Sequence, residues 1–192
     1  MVIDMVTGRP LLAVDPNAAA PALDAAPAAV HSVAGRAVAY AESFAFRTRG
    51  VAPAFFDLTA LAQAVVQRSA VAQGQLLASS AHTTCALLGQ ENEPLLLADL
   101  ADRLRRFAPL EEAYRHNEMD VRTVNVCGPE ECANGHSHCQ HALLGASVAL
   151  PVRGHTLVLG RWQRLLLVEL DHPRPRQLTL QVSGVAPEST EA

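Results

Sequence analysis

No apolar run in this chain approaches the roughly 18 residues that a membrane-crossing helix needs, and its first residues lack the basic-then-apolar pattern of a secretory leader. A cytoplasmic protein with no membrane partner is the expectation. Lysine- or arginine-rich runs are missing too, aromatic residues make up only 4% of the chain, and the net charge is −4 with a pI near 6.0. That balance excludes the clustered cations of a nucleic-acid footprint, so arginines are expected to act locally. The glycine-rich dinucleotide fingerprint and the P-loop are both absent, which removes the usual nucleotide cradles. Cysteine is sparse, at four residues. Four could close two disulfides in a secreted protein, but these are mixed with histidines in a chain without an export signal, which favours thiols or metal ligands.

What is present suits one well-buried domain, since 192 residues with 49% hydrophobic and 18% charged positions fall short of the usual size for two. Residues 1–36 form an Ala/Pro-rich extension without sustained periodicity. Residues 37–185 make the domain, and 186–192 read as a polar tail. Within the domain Val38, Tyr40, Phe44 and Phe46 alternate with smaller or polar residues, as a half-buried strand does. Asp57 is placed to cap a helix carrying Leu58, Leu61, Ala62 and Val65 at helical spacing. Residues 75–81 and 83–88 read as strands, with His82 between them. Pro94 suits the first turn of a second helix, whose Leu97, Leu100, Leu104 and Phe107 share a face and which ends near Pro109.

The last third is richer in strands, at 147–152, 156–159, 163–170 and 177–183, separated by Gly154, Gly160 and the Pro173-Arg174-Pro175 turn. Short links between successive strands demand antiparallel pairing, because a parallel return takes a dozen or more residues. The class is therefore α+β, a mainly antiparallel sheet with two or three packed helices.

Chemistry concentrates in residues 127–141, which hold three of the four cysteines and three of the eight histidines. Imidazole and thiolate are the donors that transition ions prefer, and such density points to a bound metal, with surface histidines in a loop as the alternative. His82 and His116 extend the picture. Arg174 and Arg176 alternate on a strand, so they would either grip a phosphate between two planar forks or each pair with a neighbouring carboxylate. Trp162 reads as a packed core or interface residue in preference to a stacking platform.

Seven segments then carry a family likeness in order: His82-Thr83-Thr84-Cys85-Ala86-Leu87, Gln90-Glu91-Asn92-Glu93-Pro94, Tyr114-Arg115-His116-Asn117, Asn134-Gly135-His136-Ser137-His138, Leu143-Leu144-Gly145-Ala146-Ser147, Leu159-Gly160-Arg161-Trp162-Gln163 and Glu169-Leu170-Asp171-His172-Pro173-Arg174-Pro175-Arg176. Over roughly residues 37–184 the chain resembles the YjbQ family, commonly described as secondary thiamine-phosphate synthases. The resemblance implies a compact α+β trimer with a histidine-lined pocket that often holds a metal ion. It points to His82, His116 and His138 as ligands of a divalent ion, zinc being the natural choice for imidazoles. It also points to Glu91 and Glu93 as candidate catalytic groups beside Arg174 and Arg176. A three-imidazole site leaves a fourth position for water or substrate.

The implied reaction joins hydroxymethylpyrimidine diphosphate to thiazole phosphate, a small phosphorylated substrate pair. Charge neutralisation by metal and arginines would help the leaving group, and Glu91 or Glu93 would steady the cationic pyrimidine. The competing reading is a metal-binding trimer, or a metal-dependent hydrolase, with only incidental synthase activity. Several residues depart from the family pattern. Arg161 replaces a usual threonine, where it either binds an anion or lies along the Trp162 ring. His172 stands where glycine is usual, and Cys127, Cys132 and Cys139 belong to no shared pattern. Their irregular spacing favours unpaired thiols over a second zinc site.

Overall fold

The computed structural model describes residues 34–126 and 132–188, so most of the N-terminal extension, Cys127 and the end of the tail lie outside the described residues. Strands β1 (Arg36–Arg47) and β2 (Ala54–Asp57) precede helix α1 (Thr59–Ser69). Strands β3 (Gln73–Ser80) and β4 (Cys85–Glu91) lead to α2 (Pro94–Phe107), a 3-10 turn (Arg115–Asn117) and α3 (Gly135–Leu144). Strands β5 (Ser147–Arg153), β6 (Thr156–Leu157), β7 (Gln163–Glu169) and β8 (Pro175–Ala186) complete the order. The α+β class and its antiparallel pairing are as expected, but the strands form two sheets, β1-β8-β3-β5-β6 and β2-β7-β4. Arg36 pairs with Ala186 at one end of the β1–β8 ladder.

The pattern of β7 explains why two sheets are needed. Leu165 and Leu167 face a core shared with α1, β3, β5 and β8, while Val168 and the following Leu170 pack with Ala86 and Leu104 of α2. A strand covered on both faces reads as an unbroken apolar run instead of an alternation. Each fully buried leucine there stabilises by about 1.5–3 kcal/mol relative to exposure. On the open side, β1 keeps a clean alternation, with Val38, Tyr40, Phe44 and Phe46 packed against the main core.

Helix α3 occupies the histidine-rich stretch, to which the sequence pattern assigns no element. Its buried face is Gly135, Ser137 and Gln140, with no apolar period to announce it. Hydrogen bonds hold that face: Ser137 Oγ donates to the Leu170 carbonyl at 2.7 Å, and Gln140 Nε2 donates to the Leu104 and Ala108 carbonyls at 3.1 and 3.0 Å. Gln140 thus serves carbonyls at the end of α2, the Leu104 one also accepting the Ala108 N–H at 3.0 Å. Asp57 does serve α1, its Oδ1 accepting from the Thr59 N–H at 2.8 Å. β6 is shorter than expected, and β8 runs on to Ala186.

Candidate functional site

Three connections meet at one hollow: the β3–β4 link, the 3-10 turn with the start of α3, and the β7–β8 link. Glycine makes one of these meetings possible, because a Cβ on Gly135 would lie 2.5 Å from Tyr114 Cβ. The Gly135 N–H donates to Asn117 Oδ1 at 2.9 Å, fixing the turn against the helix. His116 and His138 are brought edge to face as a result, with ring centroids 4.5 Å apart. The hollow, of about 490 Å³, is lined by His82, Thr83, Thr84, His116, Arg122, Asn125, Asn134, His138, Arg174 and Arg176, among others.

Arg176 forms the floor. At 2% exposure it pairs with Glu169, itself 1% exposed. Its Nε donates to Glu169 Oε2 at 2.7 Å and its Nη2 to Thr84 Oγ1 at 3.1 Å, while Thr48 Oγ1 and the Asp171 N–H also donate to the Glu169 carboxylate. Arg174 precedes β8 and donates from Nη2 to Asp171 Oδ2 at 2.6 Å. Of the two alternatives for these arginines, each has therefore taken the carboxylate partner. Arg174 nevertheless keeps a buried Nε with no hydrogen-bond acceptor. Every cation of this chain is an arginine, so no lysine is available for Schiff-base chemistry.

His82 is held by β8, its Nε2 accepting the Gln177 N–H at 2.8 Å. A neutral His82 that accepts through Nε2 carries its proton on Nδ1. Burial lowers its pKa from the ordinary histidine value, Arg176 and Arg174 lower it further, and Glu169 opposes them. His138 is also pushed down, first by burial, then by His116, His141 and Arg122 against the pull of Asp171. Both are therefore neutral imidazoles at neutral pH. Asp171 is held below the usual carboxylate range: burial raises it, but hydrogen bonds from Asn134 and His172 and the Arg174 charge prevail.

As a metal centre the set fits in part. Among the described residues no group of three or more His, Cys, Asp or Glu side chains stands close enough to hold an ion. His116 and His138 are adjacent, whereas His82 has its Nε2 engaged by Gln177. Glu91 and Glu93 are not in the lining. Glu93 accepts from the Leu95 and Leu96 N–H groups at 3.0 and 2.7 Å, capping α2, and these bonds lower its pKa. A carboxylate there suits the positive end of the helix dipole. Glu91 pairs with Gln163 at the far end of β4, about 20 Å along the strand from the His82 end at ~3.4 Å per residue.

The sequence reading gave no role to Asn134, Asp171, Arg122 or Asn125, all of which belong to this region. Asn134 Nδ2 donates to Asp171 Oδ2 at 3.0 Å and ties α3 to the β7–β8 link. The signal for it was Asn134-Gly135 ahead of a helix, a pair suited to a helix start. Arg161 lies along the ring of Trp162, its Cζ 4.6 Å from the centroid. Trp162 is 58% exposed in the single chain, so it is not a core residue, the other expectation being an interface.

A two-sheet antiparallel α+β domain with a histidine- and arginine-lined hollow at its strand connections defines the class. Residues 43–185 match the model of the family described as UPF0047 protein YjbQ-like, and the chain belongs to that family. A UPF0047 protein of Methanothermobacter thermautotrophicus is 34% identical over 128 residues, 67% of this chain and 81% of the relative. Among solved structures, a YbjQ-like protein of unknown function from Sulfolobus solfataricus superimposes with a TM-score of 0.68 at 29% identity, covering 78% of this chain and 99% of that one. A hypothetical protein from Aeropyrum pernix gives 0.62 at 30% identity, over 74% and 98% of the two chains.

Proposed function

We propose that the hollow binds the phosphate groups of a small molecule, and that it serves a transferase joining hydroxymethylpyrimidine diphosphate to thiazole phosphate with release of pyrophosphate. The observation that carries the anion is Arg174: it lines the hollow with its guanidinium fixed by Asp171, and its buried Nε lacks an acceptor. A phosphate oxygen supplies that acceptor in a charge-assisted bond. Neutral His82 would add its Nδ1 proton as a donor toward the same charge. Cations and donors held in advance where a diphosphate leaves lower the barrier, because they meet the developing charge without reorganising.

A divalent ion, with zinc the natural choice for imidazole nitrogen, belongs to the same reading. His116 and His138 would hold it, and His82 would complete the set only by giving up Gln177. Glu93 is taken up by its helix cap, and Glu91 has a part only in a neighbouring copy's hollow. A homotrimer is therefore part of the proposal, supported by the exposed Phe107 and Leu143, which line an apolar hollow of about 240 Å³ together with Phe55, Leu88 and Leu144. Patches of this kind mark association surfaces. A cytoplasmic site of action belongs to the same proposal, and among the described residues no helix is long and apolar enough to cross a membrane.

Steady-state turnover on the two precursors, set beside turnover on a panel of phosphate esters, tests the reaction. The transferase reading expects coupling of the precursors to exceed ester cleavage. Faster ester cleavage would replace it with the hydrolase, and no turnover of either would leave a binding protein.

A further inference from the structure

A second hollow, also of about 490 Å³, lies beyond Asp171 and is lined by Arg105, Glu111, Cys132, His136, Gln140 and His172, among others. Cys132 and His172 both depart from the family's pattern, and the structure brings them together. Cys132 Sγ is 3.8 Å from His172 Nε2, and His172 Nδ1 is 2.9 Å from Asp171 Oδ1. The other Asp171 oxygen is held by Asn134 Nδ2 and Arg174 Nη2 at 3.0 and 2.6 Å. Arg174 Nη2 also lies 2.9 Å from His172 Nδ1. This carboxylate is anchored and so orients the imidazole, which in turn faces the sulfur. Thiol, base and orienting carboxylate in sequence are the parts of an activated nucleophile.

We propose that Cys132 is the nucleophile of a thiol site separate from the histidine hollow, with His172 taking its proton and Asp171 positioning that ring. Its co-reactant is a low-molecular-weight disulfide bearing both carboxylate and ammonium groups. Cys132 passes its proton to His172 Nε2, and the thiolate attacks one sulfur of the disulfide. The substrate S–S bond breaks as a new bond to Sγ forms, and the departing thiolate takes up the proton from His172, leaving a mixed disulfide and one free small thiol. Exchange of this kind runs through the attacking thiolate.

Independent features of the hollow favour a bound partner over a bare reactive thiol. Gln140, at 1% exposure, keeps its Oε1 without a hydrogen-bond donor, and His136 Nδ1 is buried without a partner. Buried polar atoms left so are costly, and a polar ligand offsets that cost. Arg105, paired with Asp102 at 3.1 Å, and the carboxylates Glu111 and Asp171 put both signs of charge in the lining, which suits a ligand bearing both.

The reduced full-length chain, incubated with glutathione disulfide and mapped by fragmentation mass spectrometry, tests this. Cys139 is exposed and serves as the internal comparison, while Cys85 is buried, with burial pushing its thiol up to about 11. Cys132 is expected to gain a glutathionyl group faster than Cys139. Replacing exposed His172 by glycine, the family's usual residue, or by glutamine is expected to slow the reaction about a hundredfold, the low end for a positioned base. Exchange at Cys132 no faster than at Cys139, or unchanged in both His172→Gly and His172→Gln, would overturn the proposal.

Discussion

The Nε2 of His82 accepts the Gln177 backbone N–H at 2.8 Å, so an imidazole expected from the sequence as a metal ligand is tied to the sheet. His116 and His138, in contrast, have no such tether and lie ring against ring. Zinc supplied to the purified chain is expected to bind at about one ion per chain if the site closes. His138→Ala should abolish that occupancy, and His82→Ala should weaken it by less. Elemental analysis after dialysis measures both, and a His138→Ala variant with full occupancy would remove His138 from the ligand set.

Arg176 invites a stability experiment, because its placement with Glu169 makes it an anchor of the β7–β8 junction. Removing one partner of a buried ion pair strands the other charge, at a cost of about 3–5 kcal/mol. Arg176→Met should lose that much in urea unfolding, and the double change with Glu169→Leu should recover a large part of it. A single variant as stable as the parent would mean that the pair is solvated.

Acid should weaken the metal-free fold before carboxylates titrate. His82, His136, His138 and His141 all have pKa values lowered by burial, so the unfolded chain takes up protons at these positions more readily than the folded one. Stability is therefore fully present above the ordinary histidine value of 6.5 and falls as pH drops through it. Each histidine contributes a slope of at most about 1.4 kcal/mol per pH unit. Thermal melting between pH 8 and pH 5 in chelator should show the decline, and a flat profile would contradict it.

How much of this was legible depended on where the information sits. Alternation in β1 and the proline-led α2 are local patterns, and both elements were recognised. β8 lies between β1 and β3, a pairing order that no local pattern carries. α3 was missed because its buried positions are glycine, serine and glutamine, satisfied by carbonyls of distant elements. The three histidines expected as metal ligands all line the hollow, yet the tether on His82 depends on Gln177, 95 positions away. Glu93 was read as a catalytic group although Glu-Pro ahead of an apolar helical run is itself a capping signal. The partners chosen by Arg174 and Arg176 were open in the sequence, since alternation places side chains on a face without saying what faces them.

The apolar face of α2 leads to a prediction about assembly. Phe107 was expected against the core but is 55% exposed, near Leu143 at 58%. Light scattering should give a trimer mass, and Phe107→Glu with Leu143→Glu should shift it toward the monomer. A monomer mass for the parent chain at working concentration would rule the trimer out.

Binding of inorganic pyrophosphate by calorimetry tests the central claim most directly, with Arg174→Lys as the comparison. Lysine keeps a charge for Asp171 but removes the guanidinium Nε that lacks an acceptor. The parent chain is expected to bind, and Arg174→Lys to bind about ten- to a hundredfold more weakly, as loss of a hydrogen bond to a charged group implies. No binding by the parent, or equal affinity in Arg174→Lys, would contradict the phosphate hollow.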